Sequence, residues 1–463
     1  MHLIGRTREL AELDGAWDRA VSGQPELAVI WGRRRVGKTY LLNHFADGKR
    51  AVYFTATRQD SDDRQLQRFA LSLHEQLGDE VRDLAPSGFP DWEAALRFVV
   101  RLAESSPLLL VLDEAPRLSG SRSDFADTVS AVWENRVRDQ KLLIVLSGSA
   151  VAVMEQMIGP HGGLHRRAGL ELRMDPFSLM EARAFQPNVD PASFLQAYAA
   201  CGGYPLHLRR WSGARTVEQN LQELAFTPGG LLVRDAPDIL SEDLDWRGGY
   251  ERVLGAMAGG ARRRSRIAGR AQQRIDYTLD RLRRAGYVQV SRSIGEGGSP
   301  DPLYEIADTY LAYWFTILRD DADLIEGGQG RAVQARTAGR WQTHLARVFE
   351  ASARDHTQRM VIAGDLPSDA IVGRWWRDET AEIDVLAISV DGPALIGECR
   401  WQAKPLDERD LIALRRKAVH LPPASAAPIY AFWSRGLPED ALAAQPDVRT
   451  FTPADILSEE RPP

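Results

Sequence analysis

Residues 32–39 read Gly32-Arg33-Arg34-Arg35-Val36-Gly37-Lys38-Thr39, two glycines separated by four residues and followed at once by a lysine and a hydroxyl residue. Those residue types at that spacing suit a polyphosphate. Gly32 and Gly37 let the backbone wrap so that its N–H groups face an anion. Lys38 would reach the β- and γ-phosphates, and the Thr39 hydroxyl is a hard oxygen donor for Mg²⁺. The pattern G-x-x-x-x-G-K-[ST] gains meaning from its flanks. A strand-like run, Leu27-Ala28-Val29-Ile30-Trp31, leads in, and a helix-like run, Tyr40-Leu41-Leu42-Asn43-His44-Phe45, leads out. A helix starting there points its positive end at the same anion. The stretch from Gly32 to Tyr40 is therefore expected to bind ATP with Mg²⁺; a glycine turn that fits the pattern by chance would not carry both flanks.

A second set of chemistry-bearing residues follows. Leu108-Leu109-Leu110-Val111-Leu112 runs into Asp113-Glu114. A continuous aliphatic run suits a central strand buried on both faces of a parallel sheet, and acids at its carboxyl end land where open α/β sheets bind ligands. Asp113 would hold the Mg²⁺ shell and Glu114 would polarise the attacking water as general base. A further strand, Leu142–Leu146, ends in Ser147-Gly148-Ser149. In AAA+ proteins a polar residue at this place touches the γ-phosphate or the water, so either Ser147 or Ser149 would fill that role, unless both belong to an ordinary turn. Near the end of the segment, Leu164-His165-Arg166-Arg167 offers an arginine finger to a neighbouring copy's nucleotide, Arg167 first and Arg166 behind it. A solvated basic turn is the competing reading.

These groups need elements to carry them. At 463 residues, 44% hydrophobic and 26% charged, the chain holds apolar material for several cores. A net charge of −6 gives no global sign of nucleic-acid binding, so such a signal must be local. It is found at residues 247–292, where twelve arginines meet three acidic residues. Tyr250–Ala258, Ser265–Gly269 and Gln272–Ala285 read as three helices, and 286–290 with 303–306 as two strands across a Gly-rich loop. That is the order of a winged helix, whose third helix would present Arg274, Arg281 and Arg284 to double-stranded DNA. The same fold used for protein packing, with solvated arginines, is the alternative. Asp308–Phe315 is an aromatic-rich helix suited to packing between domains, and Gly327-Gly328-Gln329-Gly330 reads as a linker. Cys201 and Cys399 are too few and too far apart for a disulfide framework. The first residues show no signal pattern and no apolar run is long enough to cross a bilayer, so a cytoplasmic protein without a membrane partner is expected.

Several motifs together resemble a known family. Ile4-Gly5-Arg6-Thr7-Arg8-Glu9-Leu10 is similar to the adenine-side motif of AAA+ and related ATPases, and Gly202-Gly203-Tyr204-Pro205 to the Gly-x-Pro element in the helical lid of STAND and archaeal-type ATPases. With Gly32–Thr39, Asp113-Glu114 and Ser147–Ser149, residues 4–235 resemble the archaeal-type ATPases, P-loop NTPases close to AAA+ and STAND proteins. The family often has Leu-Tyr-Gly-Arg where this chain has Leu164-His165-Arg166-Arg167, a departure that touches the finger alone. Toward the end, Phe349-Glu350, Gly373-Arg374-Trp375-Trp376, Glu382-Ile383-Asp384 and Glu398-Cys399-Arg400-Trp401 resemble the uncharacterised domain that often closes these ATPases. The same acids resemble the PD-(D/E)xK nuclease pattern. That likeness implies Asp384 and Glu398 as metal ligands with the Cys399 carbonyl, and Glu350 as an outer partner. Arg400 stands where the nuclease lysine belongs; it stays protonated and activates water poorly, and Lys404 is the nearby substitute. The resemblance implies an α/β chain of four parts: a P-loop core with a parallel sheet (1–178), a helical lid (179–240), a winged helix (241–325) and a restriction-endonuclease-like domain (326–463). Its implied function is a DNA-acting ATPase, or alternatively an ATP-driven signalling or scaffold switch with a catalytically silent C-terminal domain.

Overall fold

The structure, a computed structural model, describes residues 3–82, 88–118, 125–137, 139–243, 248–378 and 381–458; Arg247 of the basic stretch lies outside them. The chain forms two compact units, Met1–Pro176 with Pro237–Trp246, and Phe177–Ala236 with Arg247–Pro463.

The first unit is built on strands β1 (Glu26–Trp31), β2 (Ala51–Thr55), β3 (Leu108–Asp113), β4 (Leu142–Gly148) and β5 (Leu170–Arg173) in the order β2-β3-β4-β1-β5. All four pairings are parallel. The central strands β3 and β4 are buried at every position, as their uninterrupted aliphatic composition requires of a sheet covered on both faces. Helix α1 (Thr7–Val21) precedes β1, and α2 (Lys38–Ala46) leaves the carboxyl end of β1 through the 32–37 loop. The expected parallel-sheet P-loop fold is present.

In the second unit, helices from residue 179 onward lead into α3 (Gly248–Ala258), α4 (Arg264–Ala271), α5 (Asp276–Arg284) and the antiparallel hairpin of β6 (Val288–Ser291) and β7 (Leu303–Ile306). Gln272 ends α4 in the left-handed conformation at φ 50°. The third helix therefore starts at Asp276 rather than near Gln272, and Arg274 lies in the turn before it. Helix α6 (Gly330–Ala363) follows, and then strands β8 (Ile371–Trp376), β9 (Glu382–Ser389), β10 (Gly392–Arg400), β11 (Ile429–Ser434) and β12 (Val448–Phe451), with α7 (Glu408–Ala418) between β10 and β11. Their order is β12-β11-β10-β9-β8, antiparallel from β8 to β10 and parallel beyond.

Residues 327–330 are not a linker. Helical turns run through Ile325–Gln329 into α6, broken only by Gly328 at φ 84°. Gly330 is fixed by close approach, since a Cβ there would stand 1.7 Å from the Phe226 carbonyl oxygen.

Helix α6 carries two buried histidines. His344 Nε2 lies 2.8 Å from the Ala199 carbonyl, and His356 Nδ1 accepts the Trp433 indole N–H at 3.2 Å. Burial pushes both down to about 4, with Arg347 adding to the effect at His344 and Arg359 at His356. A depressed folded value means that the neutral ring is favoured, so its stability is present above the ordinary histidine range and lost as pH falls through about 4. Thermal unfolding followed from pH 7.5 to 4 is expected to show an uptake approaching two protons, on the order of 3 kcal/mol per histidine. His356→Gln, which keeps an acceptor for Trp433, should remove about one proton from that slope; an unchanged slope would contradict the assignment.

Candidate functional site

The 32–39 loop is held in place by specific contacts. A Cβ on Gly32 would meet the Met174 carbonyl oxygen at 2.0 Å, so only glycine fits. Gly37, at φ 101°, turns the chain into the first residue of α2. Arg6, buried and itself left-handed at φ 58°, donates to the Val36 carbonyl at 3.0 Å, to the Asp175 carbonyl at 2.7 Å and to Glu9 at 2.9 Å. The Gly-Arg-x-x-Glu motif thus braces the phosphate loop directly, a role its sequence position does not disclose. In the loop itself, Arg33 is buried, while Arg35, left-handed at φ 70°, pairs with Asp238 at 3.5 Å.

Lys38 Nζ donates to the carbonyls of Gly32 (2.6 Å) and Arg33 (3.1 Å) and to Ser149 Oγ (3.0 Å). Ser149 Oγ donates in turn to Glu114 Oε1 at 2.6 Å, and its N–H reaches Oε2 at 3.4 Å. Arg117 stands 3.7 Å from the same carboxylate. Lysine, serine and glutamate therefore form one connected chain at the carboxyl ends of β3 and β4. Glu114 sits at φ 57°, a conformation costly for a non-glycine residue and often kept where a side chain must be aimed. Of the two candidate serines, Ser149 joins this chain. Ser147, opposite Ile30 inside the sheet, is fully buried and its hydroxyl finds no partner among the described residues.

Asp113, also buried, accepts from the Thr39 hydroxyl at 2.8 Å, the Tyr53 hydroxyl at 2.9 Å and the Glu114 N–H at 3.1 Å. Burial, then the Asp113 charge, push the Tyr53 phenol upward, so it remains a donor. Tyr53 belongs to none of the sequence motifs, though strand alternation points to it: Val52 and Phe54 are buried, and Tyr53 and Thr55 face the other way. One hydroxyl and one carboxylate suit Mg²⁺, which takes one or two carboxylates and completes its shell with phosphate and water. No three His, Cys, Asp or Glu side chains gather as a metal cluster among the described residues.

Arg167, half-buried, is held by its own chain, its Nε 3.0 Å from Glu134 and its NH1 3.0 Å from the Gly163 carbonyl, while Arg166 is exposed at φ 59°. In the basic stretch, Tyr277, Arg281 and Arg284 share one face of α5, with Tyr277 71% exposed. Arg281 stacks on Tyr277 at 5.9 Å. Asp280 pairs with both Arg283 and Arg284, and Asp276 with Arg264, so part of the positive charge is answered locally.

In the C-terminal sheet, Asp384 on β9 and Glu398 on β10 come together. Asp384 Oδ2 accepts the Cys399 N–H at 2.9 Å. Burial, then the Glu398 charge, raise Asp384 to about 6. Glu398 is raised by burial against the pull of Lys417, whose Nζ lies 2.5 Å from Oε1; Arg400 stands 3.6 Å from Oε2. The lysine beside this pair is thus Lys417 from α7, whereas Lys404 is exposed in the turn after β10. Glu350 is engaged by Arg374 at 2.9 Å, and Arg354 donates to the Asp384 carbonyl at 3.0 Å. Two carboxylates and a carbonyl fit a hard cation in type, but the protein's own cations already face Glu398.

Residues 2–146 match the model of an AAA ATPase domain, and residues 314–413 match that of archaeal and bacterial proteins of unknown function. An uncharacterized protein of Methanocaldococcus jannaschii is 22% identical over 425 residues, covering 89% of this chain and 90% of its own. Among solved structures, the Walker-type ATPase of Pyrococcus abyssi aligns at a TM-score of 0.50 and 19% identity, over 68% of this chain and 96% of that one, which shows a shared fold. The ORC2 protein of Aeropyrum pernix aligns at 0.45 with 18% identity, over 72% and 96%. With an AAA ATPase domain at its start and the uncharacterised archaeal and bacterial domain further along, the chain matches the archaeal-type ATPase family of P-loop NTPases.

Proposed function

We propose that this protein hydrolyses ATP at the 32–39 loop and uses the cycle to act on double-stranded DNA. The observation that carries the first half is the connected chain Lys38–Ser149–Glu114 beside the Thr39–Asp113 pair. Lys38 and the loop N–H groups would hold the phosphates. Glu114, positioned by Ser149, would take the proton from the attacking water. Mg²⁺ bound by Thr39 and Asp113 would supply charge neutralisation on the phosphates. In a neighbouring copy's site, Arg166, exposed, is better disposed than Arg167 to serve as an arginine finger.

The DNA half rests on the face of α5. Three helices and a hairpin in this order suit a winged helix, with Arg281 and Arg284 on the third helix, Arg274 in the turn before it, and the exposed Tyr277 between them. A second reading, a protein-binding switch with a silent C-terminal domain, is favoured by one observation: Lys417 and Arg400 occupy the surroundings of Glu398.

ATP turnover with and without duplex DNA, beside a Lys38→Ala control, tests both. The proposal expects DNA-stimulated turnover and salt-sensitive DNA binding. Replacing Arg274, Arg281 and Arg284 together by Ala should lower the slope of log affinity against log salt by roughly one for each phosphate no longer neutralised. Turnover indifferent to DNA, with binding unchanged in the triple variant, would favour the switch. DNA cleavage in Mg²⁺ that disappears in Asp384→Ala would establish the nuclease-like chemistry.

A further inference from the structure

The second unit contains a partly open cavity of about 310 Å³ bounded by α3, the β6–β7 hairpin, α6 and β8. Its volume is at the lower end of the ~300–1,000 Å³ usual for small-molecule sites. Past Arg354 and Arg374 it adjoins a second hollow of about 360 Å³ edged by Arg292. Neither the nucleotide site nor the carboxylates of β9 and β10 line it.

Its wall carries four arginines, Arg262, Arg347, Arg354 and Arg374, against two acids, Glu305 and Asp355. The acids do not balance the cations. Arg374 is 4% exposed and spends its terminal nitrogens on Glu305 and Glu350, leaving its buried Nε with no partner among the described residues. Arg262 shares Glu305 at 3.3 Å. Arg354 gives one nitrogen to the Asp384 carbonyl. Arg347 makes no hydrogen bond or ion pair to any described residue; burial, then the like charge of Arg262, push its pKa down against the more distant pull of Glu305 and Glu350. A half-buried guanidinium facing another guanidinium is unfavourable unless an anion joins them.

Arg347 and Arg354 lie two turns apart on one face of α6, so their side chains can converge on a single group. Beside the cations, Leu179, Met257 and Val348 give the wall an apolar part. A duplex cannot enter a space of this size, and a dianion matches two under-used guanidinium groups better than a carboxylate does.

We propose that this cavity binds a small phosphate monoester, its phosphate between Arg347 and Arg354 and its organic part against Met257 and Val348. Bound there, the ligand ties the β6–β7 hairpin to α6 and β8, and so couples the basic helical segment to the C-terminal sheet.

The test uses the full chain with the nucleotide loop saturated by ADP, and titrates AMP, ribose 5-phosphate and inorganic phosphate by calorimetry and thermal shift. At least one ester is expected to bind at one site per chain, more tightly than inorganic phosphate, and to raise the melting temperature. Arg347→Gln is expected to weaken that binding roughly 10- to 100-fold, the effect of removing a charged hydrogen-bond partner. Because Arg347 has no hydrogen-bonded or ion-paired partner to orphan among the described residues, the variant's melting temperature without ligand should hold or rise, which separates a binding defect from a folding defect. No binding by either ester, equal binding by Arg347→Gln, or inorganic phosphate binding as tightly as the esters would overturn the proposal.

Discussion

Glu114→Gln is expected to lower ATP turnover by roughly 10²- to 10⁴-fold while leaving ATP affinity within a few-fold of wild type. The amide oxygen can still accept the Ser149 hydroxyl, now 2.6 Å from the carboxylate, so the local arrangement survives. What is removed is the capacity to take a proton, together with the long contacts of the second oxygen to the Ser149 N–H and Arg117. Lys38→Ala should behave differently, since it removes the cation that braces the loop carbonyls and would face the phosphates, and both affinity and turnover should fall. Single-turnover hydrolysis with labelled ATP, together with equilibrium binding of a fluorescent analogue, separates the two effects. Wild-type turnover in Glu114→Gln would remove the glutamate from the chemistry and leave it as a support for Ser149.

The second large effect is structural. Arg374 lies between Glu305 at 3.0 Å and Glu350 at 2.9 Å, and is almost wholly buried. Burial alone would lower its pKa, yet the two carboxylates hold it above the ordinary value. Glu305 shows the converse: burial would raise it, but Arg374 and Arg262 keep it low. Glu350, mostly shielded from water and near Asp384, is raised despite Arg374. Arg374→Met would leave two carboxyl groups in a dry setting without their main cation, a loss of about 3–5 kcal/mol. For a unit of this size that is a fall of roughly 6–20 °C in melting temperature. Adding Glu305→Gln and Glu350→Gln to Arg374→Met should recover a substantial part of it, because the cost arises from the stranded charges. A single variant as stable as wild type would show that the network contributes nothing net.

What can be read from sequence is whatever sequence keeps local. Gly32 to Thr39 is fixed by spacing within one turn, and Asp113-Glu114 by following an aliphatic strand, so both emerge where the fold places them. Residues that meet across long stretches of chain give no such signal. Arg374 finds Glu305 from 69 positions away, and Arg6 reaches Val36 from 30. Lys417 approaches Glu398 because α7 returns over β10, a geometry that no local lysine count around Arg400 could supply. The glycines at 327–330 mislead for another reason. Composition suggests slack, whereas Gly328 supplies one left-handed residue and Gly330 permits close contact with Phe226. Arg274 reads as helical because nothing in Gln272 announces a left-handed turn.

Helix α6 has 34 residues and is therefore about 50 Å long. His344 fastens it to the Ala199 carbonyl and His356 fastens it to Trp433 of β11, so one rod is bolted at two distant points to different parts of its unit. Rotation at one end must be passed to the other unless a bolt gives way or the rod bends. Its buried hydroxyls, Thr337, Ser352 and Thr357, bond back to the carbonyls of Val333, Val348 and Ala353 and leave none of these donors dangling. The C-terminal sheet is thus geared to the helices around Ala199; protonating His356 would remove the acceptor that holds Trp433, whereas His344 would go on donating to the Ala199 carbonyl.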